Sequence, residues 1–172
     1  MDKIYIGNTG ETPLGDLWVA VSGKGLVAVE FETNQHEFAD IINKHLRRPV
    51  EFVTEKVGEA VSQLREYLAG KRRDFNLPVD WSVLGDFQCR ALQATCKIPY
   101  GQTRTYGQIA GQIGRPRASR AVGRAEATNP MPLVIPCHRV VGADGKLHGY
   151  GGPGGVKTKE WLLNLEKGDR KM

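Results

Sequence analysis

A chain of 172 residues holds one domain or two small lobes. Its 40 % apolar, 25 % charged and 8 % aromatic residues exclude wholesale disorder, and apolar runs such as residues 17–21 are far shorter than the roughly 20 residues of a bilayer span. The net charge of +5 is unevenly spread: residues 1–85 carry 10 Lys/Arg and 13 Asp/Glu, residues 86–172 carry 14 and 6, so the halves stand at −3 and +8 and the second half suits a polyanionic partner.

In chain order, residues 3–8, 16–22 and 26–31 are strand-like, separated by turns rich in Gly and Pro. Short turns between three strands predict an antiparallel meander. Residues 35–46, with Phe38, Ile41, Ile42 and His45 at helical spacing, and residues 55–68, with Val57, Val61, Leu64 and Leu68, predict two helices, the second stopped by Gly70. This half gathers no catalytic residue types and reads as scaffold. Residues 76–81 read as an extended connector.

The second half is helical. A helix over 86–97 is expected to start at an Asp86 cap, one over 106–113 at a Thr105 cap with Gly114 ending it, and one over 117–127 just after Pro116. Helix, short glycine turn, helix is the pattern of a helix-turn-helix. Arg117, Arg120 and Arg124, spaced three and four, are expected on one helix face, suited to a nucleic-acid groove or to solvent. A last helix over 157–166 buries Trp161, Leu162 and Leu165.

Chemistry concentrates at Pro136-Cys137-His138-Arg139-Val140. Ionisable and cationic neighbours favour the thiolate, the nucleophilic form of cysteine. On an extended strand, however, Cys137 and His138 would face opposite ways, so a turn or a water must join them. Glu166 is a candidate partner for His138. Residues 149–154 satisfy GxGxxG, but no βαβ unit surrounds them and Pro153 interrupts them, so a dinucleotide site is rejected. The alternatives there are a plain loop and a lid with Tyr150 packing on a flat ligand. Cys89, Cys96 and Cys137 form no disulfide framework, and Cys89 and Cys96 are expected to be buried small hydrophobes. With His36, His45, His138 and His148 they make no metal-ligand set, so no metal is expected. The start lacks the features of a signal peptide, and a soluble, cytoplasmic protein is expected.

The PCHRV string, with Ile98-Pro99-Tyr100-Gly101, Thr105-Tyr106, Arg120-Ala121-Val122-Gly123 and Asn129-Pro130 in order before it, resembles the O6-alkylguanine-DNA alkyltransferases over residues 87–166. The resemblance implies an α+β protein: a small N-terminal antiparallel-sheet, ribonuclease-H-like domain (1–80), a connector (81–85), and a mostly helical C-terminal domain with a helix-turn-helix (86–172). It implies transfer of an alkyl group from O6 of guanine, and from O4 of alkylthymine, to Cys137, once per molecule and without a cofactor. His138 would deprotonate Cys137 through a water, Glu166 would orient His138, Tyr106 would hydrogen-bond N3 of the flipped base, and Asn129 would brace the active-site backbone. Arg120 would fill the gap in the duplex. Arg117, Arg124, Ser119 and Ala121 complete the expected DNA surface, with Ala118 and Ala125 as further small residues, in the minor groove. Tyr150, Gly151, Gly152 and Met131 are the expected substrate pocket. The partner implied is double-stranded DNA bearing O6-alkylguanine, the protein being a monomer that avoids membranes. The loop 151–159, nine residues, is about two longer than the family pattern, in a place where loops tolerate insertion, which leaves alkyl-size preference open.

Two other classes compete. A binding-only relative would lack the acceptor cysteine, which is present here as Cys137. A helix-turn-helix regulator would need an effector or dimerisation element that the sequence does not offer. A cysteine hydrolase stands third, for want of a recognisable oxyanion hole.

Overall fold

The structure, a computed structural model, describes residues 2–168. Between Val83 and Leu84 the chain divides into two units. In the first, β1 (Ile4–Asn8), β2 (Trp18–Ser22) and β3 (Gly25–Glu30) form the antiparallel meander. After α1 (Gln35–Leu46), and before α2 (Thr54–Leu68), comes a strand that the sequence pattern does not announce. This is β4 (Val50–Phe52), which pairs parallel to β1 with Ile4 opposite Val50. The sheet, in order β3-β2-β1-β4, is therefore mixed rather than wholly antiparallel. The reason is the α1 crossover, which returns the chain to the β1 edge in the same direction.

Ile4 and Ile6 join Trp18, Ala20, Phe38 and Ile42 in one cluster, which seats α1 on the sheet. Ile41 and His45, although at helical spacing, remain exposed. Gly7 faces α2, and a Cβ there would fall 2.5 Å from Val57 Cγ2, so a glycine is what lets that helix lie close to β1. Residues 76–80 are more than a connector. The Leu26 N–H donates to the Pro78 carbonyl and the Asp80 N–H to the Leu26 carbonyl, both at 2.9 Å, which seats the stretch along β3. It ends in buried Asp80, held by the Ser22 and Ser82 hydroxyls.

In the second unit, α3 (Asp86–Cys96), α4 (Tyr106–Gln112) and α5 (Ser119–Ala127) pack through Ala91, Ala94, Ile109, Ala110, Val122 and Ala125, small enough for close approach. α6 (Val156–Glu166) follows and buries Trp161, Leu162 and Leu165. Gly85, not Asp86, is the cap of α3; Asp86 is its first helical residue, where its charge still meets the positive end of the helix. Thr105 caps α4 as expected, in a reciprocal box with Gln108. α5 starts at Ser119, two residues late, because residues 116 and 117 form a turn and the Val122 N–H reaches back only to the Ala118 carbonyl. Arg117 thus lies outside the helix. Cys89 is half-buried and Cys96 exposed, contrary to expectation.

The parallel pairing of β5 (Arg104–Thr105) with β6 (Val140–Val141) matters most for the site. It lays the start of α4 beside the residues just before Val140. Among the described residues no helix is long and apolar enough to cross a membrane.

Candidate active site

Cys137 opens a single 3-10 turn, Cys137–Arg139. At three residues per turn, successive side chains diverge by about 120°, which resolves the problem an extended strand would pose. The loop before it is braced from within. Asn129 Nδ2 donates to the Ile135 carbonyl at 3.0 Å, while its Oδ1 accepts from the Met131 N–H at 2.9 Å. Leu133, held in that loop, takes a left-handed conformation (φ 74°) that a leucine seldom adopts.

His138 and Arg139 both turn to Glu166 on α6. His138 Nε2 lies 2.8 Å from Glu166 Oε1, and both side chains are fully buried. Arg139 Nη2 donates to the same oxygen at 2.7 Å and its Nε to Oε2 at 3.0 Å. A third donor, the Gly101 N–H, reaches Oε2 at 3.2 Å. Arg139 Nη1 donates to the Ile98 carbonyl at 2.8 Å, which ties the Ile98–Gly101 segment to the same knot. Burial alone would raise the Glu166 pKa, but the hydrogen bonds and charges of His138 and Arg139 prevail and pull it down to about 2. Burial lowers the His138 pKa against the pull of Glu166. The ring is accordingly neutral at pH 7. With Nε2–H donating to the carboxylate, Nδ1 carries the lone pair.

Cys137 is buried, and that burial pushes its thiol up to about 12. Glu126 adds to the rise, while Asn129 and Lys159 oppose it. The expectation of a resting thiolate is therefore corrected. Arg139, the cation two residues on, spends its charge on Glu166, so burial leaves the thiol protonated at rest.

The sulfur lines a cavity of about 720 Å³. Tyr106 from α4, Ser119, Arg120 and Glu126 from α5, Tyr150 and Gly151 from the glycine-rich loop, and Lys159 from α6 share its wall. The Tyr106 hydroxyl is held protonated by burial, reinforced by Glu126 and Cys137. Burial does the same, more strongly, for Tyr150, whose hydroxyl is out of solvent although the residue is half-exposed. Lys159 is 1 % exposed. Its Nζ donates to the His148 carbonyl at 3.0 Å and sits 5.8 Å from the Tyr106 ring centre, so α6 holds the loop against α4.

Residues 86–168 match the DNA-binding domain of the 6-O-methylguanine DNA methyltransferases, and residues 4–81 match their ribonuclease-like domain. The chain belongs to the 6-O-methylguanine DNA methyltransferase family. It is 42 % identical to a methylated-DNA–protein-cysteine methyltransferase of Methanosarcina barkeri over 159 residues, covering 91 % of this chain and 94 % of that one. With the Mycobacterium tuberculosis protein of that name it shares 53 % identity over 108 residues, 63 % of this chain and 64 % of that protein. The crystal structure of Mycobacterium tuberculosis OGT in complex with DNA superposes with a TM-score of 0.75 at 38 % identity, covering 96 % of this chain and 93 % of that one.

In this methyltransferase the expected residues fall into three groups. Cys137, Tyr106, Ser119, Arg120, Tyr150 and Gly151 share the cavity wall. His138, Glu166 and Asn129 stand outside it and act on the Cys137 turn from within the protein. The rest are placed elsewhere. Met131 is fully buried and Gly152 is half-buried, and neither lines the cavity. Met131 belongs to the braced loop, so its side chain packs inward beneath it. Arg117 is exposed in the turn before α5, while Arg120 and Arg124 are exposed one helical turn apart. Ala121 is half-buried, Ala118 precedes the helix, and Ala125 faces the core rather than a groove. Sequence reasoning missed Glu126, Lys159 and the clamp of Arg139. Helical spacing could have found the first two: Glu126 is four residues from buried Val122, and Lys159 three from buried Leu162.

Proposed function

We propose that this chain repairs DNA directly, by moving the alkyl group of O6-alkylguanine in duplex DNA onto Cys137. The observation that carries the reading is a buried cysteine on a cavity wall, one residue from a neutral histidine that is hydrogen-bonded to a fully buried carboxylate. The chemistry follows from these groups. Cys137 Sγ attacks the O6 alkyl carbon; the S–C bond forms as the C–O6 bond breaks, and its electron pair passes to the purine. The thiol proton goes to His138 Nδ1 through a water and on to solvent. The resulting imidazolium is stabilised by the Glu166 carboxylate. Burial favours the thiol at rest, so His138 has to take up its proton for the attack to proceed. Tyr106 donates its phenol hydrogen bond to N3 of the departing base, which leaves as guanine after gaining one proton. The thioether is not reversed, so each molecule reacts once. The same exchange serves O4 of alkylthymine.

An alkyl group inside a duplex is out of reach, so the nucleotide must be flipped at a cost of a few kcal/mol. Arg120, on the rim of the cavity, offsets part of that by entering the vacated stack. α5 with Ser119, Ala121 and Arg124, and Arg117 in the turn before it, meet the minor groove, whose sparse base information suits a sensor that works in any sequence. Tyr150, Gly151 and Gly152 close over the alkyl group. The protein acts as a cytoplasmic monomer without a cofactor, residues 1–80 serving as scaffold, 81–85 as connector and 86–172 as the DNA-binding and transfer domain.

The test is intact-protein mass after incubation with duplex DNA containing O6-methylguanine. A single gain of about 14 Da on the Cys137 peptide is expected, absent with unmodified DNA and absent in Cys137→Ser, which still binds DNA. Lesion binding by the wild type with no mass gain would instead indicate a binding-only protein.

A further inference from the structure

Glu126 belongs to the inner face of α5 and lines the cavity with Cys137, yet no step above uses it. It is 6 % exposed. Oε1 meets the Thr95 hydroxyl, which also lies 3.0 Å from the Ala91 carbonyl. Oε2 is buried with no hydrogen-bond partner in the protein. A buried polar atom left unpaired is costly to a fold, and its retention in a cavity wall marks a place for a ligand's polar group.

On the reading that the cavity receives O6-alkylguanine, we propose that Glu126 is a further substrate-binding residue whose Oε2 hydrogen-bonds one of the two ring nitrogens nearest O6. Cys137 must face the O6 substituent, and Glu126 shares the cavity wall with Cys137. The proposal places its carboxyl at the edge of the base around O6, where N1 lies on one side and N7 beyond C5 on the other. Alkylation changes that edge. N7 presents a lone pair in both bases, whereas N1 carries a hydrogen in guanine and a lone pair in O6-alkylguanine, so only a contact at N1 tells the two apart. A neutral carboxyl, offering an O–H, fits the alkylated base at either nitrogen. A carboxylate fits neither.

The surroundings supply the neutral form. Burial raises the Glu126 pKa to about 8, against the pull of the Thr95 hydrogen bond and of Lys159. The single Thr95 hydroxyl proton can serve Glu126 Oε1 or the Ala91 carbonyl. When it serves Oε1, the carboxyl proton sits on Oε2. The titratable groups around Glu126 are Cys96 on α3, Tyr106 on α4, Cys137 in its turn and Lys159 on α6, with His148 ring-to-ring against Tyr106 at 6.4 Å. Cys96 and Cys137 are pushed up to about 11 and about 12. Lys159 is lowered from its ordinary value, so pH alone does not isolate Glu126 and a variant must.

The experiment is the single-turnover transfer rate from O6-methylguanine duplex between pH 6.5 and 9.5, for wild type, E126Q and E126L. Gln keeps a donor at every pH and Leu has none. At pH 7 E126Q is expected to lose about two- to threefold and E126L about tenfold. The ratio of wild-type to E126Q rate should fall through a midpoint near 8, because the donor is lost as Glu126 ionises. Replacing N1 or N7 of the lesion by C–H should slow the wild type about tenfold at one of the two positions and leave E126L unaffected there. Equal rates for E126L and wild type at pH 7, or a constant wild-type to E126Q ratio across the range, would overturn the proposal. If E126L fails to fold, the E126Q ratio decides alone. No transfer by the wild type at any pH would overturn the alkyl-transfer reading itself, and the proposal with it.

Discussion

Glu166 and Glu126 are equally buried, each 6 % exposed, yet their pKa values are driven opposite ways, down to about 2 and up to about 8. Burial acts on both in the same direction, so what separates them is the supply of donors. Glu166 receives His138, the Arg139 fork and the Gly101 N–H. Glu126 has the Thr95 hydroxyl and a distant ammonium. The first carboxylate is saturated and belongs to the architecture. The second is half-satisfied and belongs to the cavity. One small unit thus holds a fixed negative charge behind His138 and a carboxyl pushed towards its neutral form on the cavity wall, from the same residue type.

The sharpest way to break this contrast is stability. Glu166→Gln leaves Arg139 buried without its counter-charge and should cost about 3–5 kcal/mol in urea unfolding, the range for removing one partner of a buried pair. A loss under about 1 kcal/mol would mean that the knot is not an anchor. Acid titration comes next. The folded pKa of Glu166 lies below the unfolded value of about 4.3, so its contribution, on the order of 3 kcal/mol, is complete above that pH and lost as pH falls towards about 2. Circular dichroism should show this acid limb in wild type and a shallower one in Glu166→Gln.

Glu126→Leu should behave in the opposite way, its unfolding free energy staying within about 1 kcal/mol of wild type, since an apolar side chain replaces a poorly paired one. A loss as large as that of Glu166→Gln would erase the distinction between the two sites. The smallest effect is expected on the rim. Arg120→Ala should weaken duplex binding roughly five- to tenfold and reduce the salt slope by about 0.9, while Cys137 remains reactive toward a small alkylating agent. Unchanged repair of duplex substrate would remove Arg120 from the flipping step.

Much of this was legible in the sequence where a local rule decides. Thr105 gave the start of α4, Gly114 its end, and Trp161, Leu162 and Leu165 the buried side of α6. β4 escaped because three residues with two of them exposed carry no period, and its pairing with β1 is a long-range event. Arg117 was misplaced by the backbone turn at Pro116, which side-chain spacing does not register. Met131 was placed in the pocket by its position in a functional loop, whereas burial decides where the side chain goes. Glu126 and Lys159 escaped because charged residues are ordinarily read as solvated, and only the helix faces they occupy say otherwise. The thiolate expectation failed for a related reason: adjacency to Arg139 in sequence says nothing about which anion that guanidinium serves.

The burial of Cys137 bears on how long the protein keeps. A thiol that is 9 % exposed and pushed up to about 12 is a poor target for peroxides and stray electrophiles, which consume thiolates. Cys89, nearer to solvent, should take up iodoacetamide first. If each molecule reacts only once, as proposed, an accidental hit leaves it no second chance. The burial that slows the thiol at rest is therefore expected to spare it for the lesion.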